Sequence, residues 1–280
     1  MNFLIITDSS ADLSIVAKHT SNILSVPLKI ITTEKEYVDN DELNVEQMVG
    51  ELEQYKGRSS SSCPNTSDWL EAFGEAEAIF CVTITSGLSG SYNSAVAAKK
   101  IYEAENEGRR VYVIDSLSTG PEMALIVDKL LYLIAEDYKF EEICDEIQCY
   151  QKDTGLLFML ESMKNLANNG RVSPLVAKLA GILGIRVIGK ASDKGTLEQL
   201  EKCRGENKAI PAIIEQMKSL GYIGGKVKIA HCLNPEGAEV LKRMLQARYP
   251  NTKIDTYPCR GLCSFYAERG GLLVGFEKGI

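Results

Sequence analysis

Short strand-like runs alternating with helical patterns constrain this chain more than any other feature of its sequence. Phe3–Thr7 is an apolar run that stops at Asp8-Ser9-Ser10. Ser25–Ile31 reads as a second strand, and Pro27 assigns it to a sheet edge because proline has no N–H to give a ladder. Ala78–Thr85 (AIFCVTIT) is a third, rich in β-branched and aromatic residues, and Val111–Ile114, ending in Asp115-Ser116, is a fourth. Helical patterns fall at Val45–Tyr55, Asn65–Phe73, Ser91–Asn106 and Glu122–Glu136. Such alternation predicts an α/β fold whose first half is a mostly parallel sheet with helices on both faces.

The second half has the same style with different spacing. Ser162–Ala167 and Leu175–Leu183 read as helices, stopped by Asn169-Gly170 and by Gly184. Ile185–Ile188 reads as a strand, and Thr196–Lys202 (TLEQLEK) is polar enough for an edge. Helices at Asn207–Leu220 and Pro235–Ala247 then mix with strands at Lys226–Cys232, Lys253–Tyr257 and Leu272–Phe276. The boundary is expected near Asp153-Thr154-Gly155, dividing an N-terminal unit of residues 1–154 from a C-terminal α/β unit of residues 155–280. A chain of 280 residues is long enough for two cores.

Composition narrows the function. With 45% hydrophobic and 25% charged residues, the chain has the balance of a soluble globular protein. A net charge of −7 argues against nucleic-acid binding, which needs a basic face to displace counterions. The opening Phe3-Leu4-Ile5-Ile6 run is too short for a secretory core. Asp128 and Lys129 interrupt the apolar stretch Met123 to Ala135, so at most peripheral membrane contact and a cytoplasmic location are expected. The eight cysteines are then expected to be reduced. Cys259 and Cys263 lack nearby histidines, so no metal site is expected.

The apparent strand ends collect hydroxyls and glycines: Thr7-Asp8-Ser9-Ser10, Thr85-Ser86-Gly87-Leu88-Ser89-Gly90-Ser91 and Asp115-Ser116, with Ser59-Ser60-Ser61-Ser62 before another helix start. Ligands of open parallel sheets bind outside the carboxyl ends of the strands, and helix N-termini there favour an anion. The phosphate-loop lysine and the dinucleotide GxGxxG are absent. Gly87-Leu88-Ser89-Gly90-Ser91 misses the last glycine of a hydrolase elbow. Of the two histidines, His19 falls on an expected surface helix and His231 ends a strand. Three readings stay open: a non-catalytic carrier, a hydrolase of small esters using Ser89 with His231 as base, and a regulatory module that binds an amphipathic anion and reports to a partner. The plain alternative for each hydroxyl cluster is a helix N-cap, worth ~1 kcal/mol.

Several ordered motifs resemble the DegV family over nearly the whole chain. They are Thr7-Asp8-Ser9-Ser10-Ala11-Asp12-Leu13, Ser61-Ser62-Cys63-Pro64-Asn65, Thr83 to Ala95 (TITSGLSGSYNSA) and Val113-Ile114-Asp115-Ser116. Asn169-Gly170-Arg171-Val172 with Gly181-Ile182-Leu183-Gly184-Ile185, and Lys202-Cys203-Arg204-Gly205, extend the match. The resemblance implies a two-domain α/β fold that holds a long-chain fatty acid such as palmitate, stearate or oleate. It implies no catalysis and no cofactor besides that ligand, but presentation of the acyl carboxylate to a separate kinase subunit. By motif position, Ser61, Ser62, Ser86, Ser89, Gly90 and Asn93 are expected at the carboxylate. Arg171 and Arg204 are expected on the phosphate or partner side, where Glu268 takes the place of a histidine in kinase-coupled members. The acyl wall is expected from Leu156, Leu157, Phe158, Met159, Leu160 and Met163, with Ile182 and Leu183.

Overall fold

The computed structural model describes residues 3–13, 22–173 and 184–279. Strands β1 (Phe3–Asp8), β2 (Ile23–Val26), β6 (Ala78–Thr83) and β7 (Arg110–Asp115) form one parallel sheet in the order β2-β1-β6-β7. Period-two alternation gives it two apolar faces. Ala78, Phe80 and Val82 of β6 pack with helices α4 (Pro121–Ala135) and α5 (Phe140–Tyr150). Ile79 and Cys81 face the other way, onto Trp69 and Phe73 of α2 (Thr66–Phe73) and Ala95, Ala98 and Tyr102 of α3 (Ser91–Glu105).

The expected strand Ser25–Ile31 is instead two strands in two sheets. Pro27 interrupts it: β2 ends at Val26 as the edge of the parallel sheet, and β3 (Lys29–Ile31) starts a second, antiparallel sheet with β4 (Glu36–Val38) and β5 (Ser60–Ser62) in the order β4-β3-β5. The fixed ring angle and missing N–H of proline explain the break. Helix α1 (Val45–Gln54) follows β4, and its Met48 and Val49 pack in one cluster with Ile30 and Tyr37 of this small sheet.

The third sheet has the order β10-β9-β8-β13-β11-β12. Its strands are β8 (Thr154–Leu160), β9 (Ile185–Ala191), β10 (Leu197–Arg204), β11 (Val227–His231), β12 (Ile254–Pro258) and β13 (Leu272–Glu277). All its pairings are antiparallel except β11 with β12, and the polar run read as an edge is the edge strand β10. Leu157 and Met159 of β8 face α7 (Glu206–Ser219) and α8 (Pro235–Arg248). Leu156, Phe158 and Leu160 face the opposite way, towards Leu166 of α6 (Lys164–Asn168) and Phe265 and Ala267 of α9 (Gly261–Ala267).

Helix α4 touches both large sheets, and its residues from Pro121 to Val127 are all buried. It crosses β13 at Gly275, where a Cβ would stand 2.5 Å from the Pro121 carbonyl carbon. Among the described residues no helix is long and apolar enough to cross a membrane. His19 and the expected helix Leu175–Leu183 lie outside the described residues.

Candidate functional site

A cavity of about 260 Å³ opens where the parallel sheet, the small sheet and the six-stranded sheet meet. Its polar end carries Ser61 and Ser62 from β5, Cys63 after them, Ser89 and Gly90 before α3, Thr119 before α4, Arg171 after α6 and Tyr266 of α9. Leu156, Phe158, Leu160, Leu166, Leu197, Leu262 and Leu273 supply most of its apolar wall.

Two buried carboxylates position the elements around it. Asp8 accepts hydrogen bonds from Ile84 N at 2.9 Å and Ser91 Oγ at 2.6 Å, so it stakes both ends of the loop that carries Ser89 and Gly90. Asp39 accepts from Gly261 N at 2.8 Å and Leu262 N at 2.9 Å, the start of α9. Burial pushes both carboxyls above their ordinary range, opposed by these same hydrogen bonds. Neither aspartate lies on the cavity wall. The Ser9 and Ser10 hydroxyls of the opening motif turn inward as struts, Ser9 Oγ accepting from Leu28 N at 3.0 Å and Ser10 Oγ donating to Asp8.

Helix α3 starts after Gly90, which has no side chain to cap it; Ser91 N donates to Ser89 Oγ at 3.3 Å, and the helix N-terminus lies beside the cavity. Ser61 Oγ and the Tyr266 hydroxyl are 2.7 Å apart. Arg171 donates from Nε to Leu88 O at 3.1 Å and from Nη1 to Asn169 O at 2.6 Å. Its guanidinium carbon sits 5.9 Å from the centre of the Tyr266 ring. Arg171 makes no ion pair with any carboxylate among the described residues. The polar end therefore presents hydroxyls, a helix N-terminus and a positive charge, a combination that suits an anion.

The expected site residues divide. Ser61, Ser62, Ser89, Gly90 and Arg171 line this one cavity. Ser86 and Asn93 do not: both are exposed, and Ser86 N donates to Asp115 Oδ1 at 3.1 Å. Arg204 is exposed at the end of β10. Glu268 lines a separate cavity with Glu161, Ser162 and Lys164 and accepts from Asn165 N at 3.0 Å; burial pushes its carboxyl up. Of the expected acyl wall, Leu156, Phe158 and Leu160 line the cavity, whereas Leu157 and Met159 point to the other face of β8. Met163 is buried beside the wall, and Ile182 and Leu183 lie outside the described residues.

Ser89 and His231, the pair a hydrolase would need, line different cavities. His231 Nδ1 accepts from Asn234 N at 3.3 Å, and burial lowers its proton affinity. Asn65 is a helix cap, accepting from Ser67 N at 2.8 Å and Asp68 N at 3.1 Å. Sequence reasoning missed Tyr266, Thr119 and Leu197 on the wall. Tyr266 stands only two residues before Glu268, but no local pattern marks which of the two turns inward. Among the described residues no group of three or more His, Cys, Asp or Glu side chains is arranged to hold a metal ion.

Comparison with known proteins agrees with this architecture. A DegV domain-containing protein of Streptococcus pyogenes serotype M1 is 43% identical over 279 residues, covering 99% of this chain and 100% of the relative. A DegV family protein from Eubacterium eligens, solved loaded with heptadecanoic acid, superposes with a TM-score of 0.95 at 43% identity, covering 99% of each chain. The Streptococcus pneumoniae fatty acid kinase (Fak) B3 protein, solved loaded with linoleic acid, superposes with a TM-score of 0.95 at 41% identity, covering 100% of each chain. The DegV family model matches residues 2–278, and with these likenesses the chain belongs to the DegV family.

Proposed function

We propose that this protein binds a long-chain fatty acid such as palmitate, stearate or oleate, with its carboxylate at Ser61, Ser62, Ser89 and Gly90 and its tail along Leu156, Phe158 and Leu160. The observation that carries this reading is the meeting of those four polar positions and that apolar strand face in one cavity. The Eubacterium eligens and Streptococcus pneumoniae proteins, each loaded with a fatty acid, support it. Residues 1–154 supply Ser61, Ser62, Ser89 and Gly90 at the head-group end, where Arg171 and Tyr266 join them, and residues 155–280 supply most of the wall that closes over the tail.

The energetics divide the labour. An acyl chain of about sixteen carbons gains on the order of 10 kcal/mol from burial before ordering costs, at ~0.8 kcal/mol per methylene. Each hydrogen bond to the charged head contributes only ~1.5–3 kcal/mol. The tail sets affinity, while the hydroxyls set orientation and select a carboxylate. The protein acts as a carrier and not as a catalyst, and it presents the acyl group to a partner such as a fatty-acid kinase, a role the likeness to the Fak B3 protein supports. Eight unpaired thiols suit a reducing compartment, the cytoplasm.

Native mass spectrometry of the purified protein, followed by denaturing extraction, tests the reading. One fatty acid per chain is expected. A protein that carries none and refuses added palmitate and oleate overturns it. Ser61→Ala with Ser89→Ala is expected to weaken binding while leaving the melting temperature unchanged. Unaltered affinity in that double variant moves the carboxylate elsewhere.

A further inference from the structure

We infer that Tyr266 is the residue that makes this cavity select a carboxylate, by donating its phenolic hydrogen to Ser61 so that the Ser61 hydroxyl is turned towards the ligand's head. The inference rests on the fatty-acid reading above and adds a residue to it. The Ser61 Oγ and Tyr266 hydroxyl are 2.7 Å apart and both residues line the cavity. Each hydroxyl has one hydrogen to give, so a pair in contact can donate in only one direction. The phenol is the more acidic partner and is the donor, which leaves the Ser61 hydrogen free.

Arg171 reinforces that direction. Its cation lies over the Tyr266 ring and draws electron density from the phenolic oxygen, strengthening the O–H as a donor. Two backbone carbonyls hold it there, those of Leu88 and Asn169, and the first belongs to the loop that carries Ser89. A donor chain running from Tyr266 through Ser61 ends on whatever oxygen occupies the cavity, and cooperative polarisation makes its last hydrogen bond stronger than that of an isolated serine. An ionised carboxylate gains most from this, and an ester oxygen gains least. Glu268 faces another cavity, so the C-terminal segment reaches the head-group end through Tyr266, by way of Ser61.

Equilibrium binding of oleic acid and methyl oleate to the full chain separates this role from a structural one. Tyr266→Phe keeps the ring and its packing on Phe265 and removes only the hydroxyl. It is expected to weaken oleate about three-fold while leaving methyl oleate unchanged, the size expected when a hydrogen bond to a charged group loses its cooperative support but keeps its donor. Ser61→Ala, which removes the last donor itself, is expected to weaken oleate about ten-fold, and the double variant is expected to be no worse than Ser61→Ala, because Tyr266 acts only through Ser61. Equal loss of both ligands, an unchanged preference for the acid in Tyr266→Phe, or additive losses would overturn the inference while leaving the carrier reading intact. A wild-type protein that binds neither ligand would remove the carrier reading, and this inference with it.

Discussion

The carboxylate of Asp39, just after β4, accepts the backbone N–H of Leu262 at 2.9 Å, so the residues following the small sheet hold the start of the helix that forms one side of the cavity. The same carboxylate accepts Gly261 N, and a Cβ on Gly261 would lie 2.7 Å from Asp39 Oδ1. Asp39→Ala leaves both buried N–H groups without a partner. A loss on the order of 3 kcal/mol in urea unfolding is expected, with weakened fatty-acid binding, since each orphaned group costs about 1–3 kcal/mol. Asp39→Asn, which keeps one acceptor oxygen, is expected to fall between.

Asp12 gives a pH dependence with a defined sign. Burial, with a smaller push from the Asp39 charge, raises its carboxyl from 3.8 to about 7, against the Arg260 N–H that favours the anion. A carboxyl whose proton affinity is raised by folding adds stability below its unfolded value, and that stability is lost as pH rises through the folded value. Between about pH 4 and pH 7 the wild type is therefore expected to lose stability through this group, by up to about 4 kcal/mol. Asp12→Asn removes the titration and suits the left-handed backbone there, at φ 53°. Asp8 and Asp39 shift in the same direction, so the difference between the wild-type and Asp12→Asn melting curves isolates Asp12. That difference is expected to grow from pH 4 to pH 8 in favour of the variant.

Adjacent leucines on β8 are expected to behave oppositely. Leu157 faces the core with α7 and α8, whereas Leu156 faces the cavity. Leu157→Ala is expected to cost ~2–5 kcal/mol in chemical unfolding, with fatty-acid affinity unchanged. Leu156→Ala is expected to weaken binding several-fold in a direct titration. If Leu157→Ala alone altered binding, the tail would have to run along the other face of the strand.

The turn between β9 and β10 is clasped onto the head-group loop. Thr85 Oγ1 donates to Gly195 O at 2.9 Å, and a Cβ on Gly87 would stand 2.9 Å from Lys194 O. Thr85→Val removes the hydrogen bond, and Gly87→Ala pushes the turn outward. Hydrogen exchange at the amides of Ser192, Gly195 and Thr196 is expected to quicken about five-fold in Thr85→Val, matching ~1 kcal/mol for one lost hydrogen bond. Leu197, next along the chain, lines the cavity, so faster ligand release is expected to accompany it.

Much of the fold was legible because it is written in local periodicity. The continuous apolar run of Ala78–Thr83 and the helical spacing in Ser91–Glu105 need only neighbours in sequence to declare themselves. Pro27 declared an edge but not that the strand would change sheets there, since that depends on what its two halves pair with. The hydroxyl motifs also marked a rim, and Ser61, Ser62, Ser89 and Gly90 share one cavity. Sequence could not separate the hydroxyls that face this cavity from those that serve as struts or caps, such as Ser9 and Asn65, because the same chemistry suits both.

What the sequence by itself determined was the order and type of the elements and the residue chemistry at their ends. What only the tertiary structure decided was which of two alternating faces meets the cavity, as for Leu156 against Leu157, and which distant side chains close it. Ser61 and Tyr266 are 205 positions apart, and their contact exists only because β5 and α9 are packed together by Asp39 and the surrounding core. Local preference acts over a few residues, whereas such a contact is set by the packing of whole elements, so no local pattern at either residue records it.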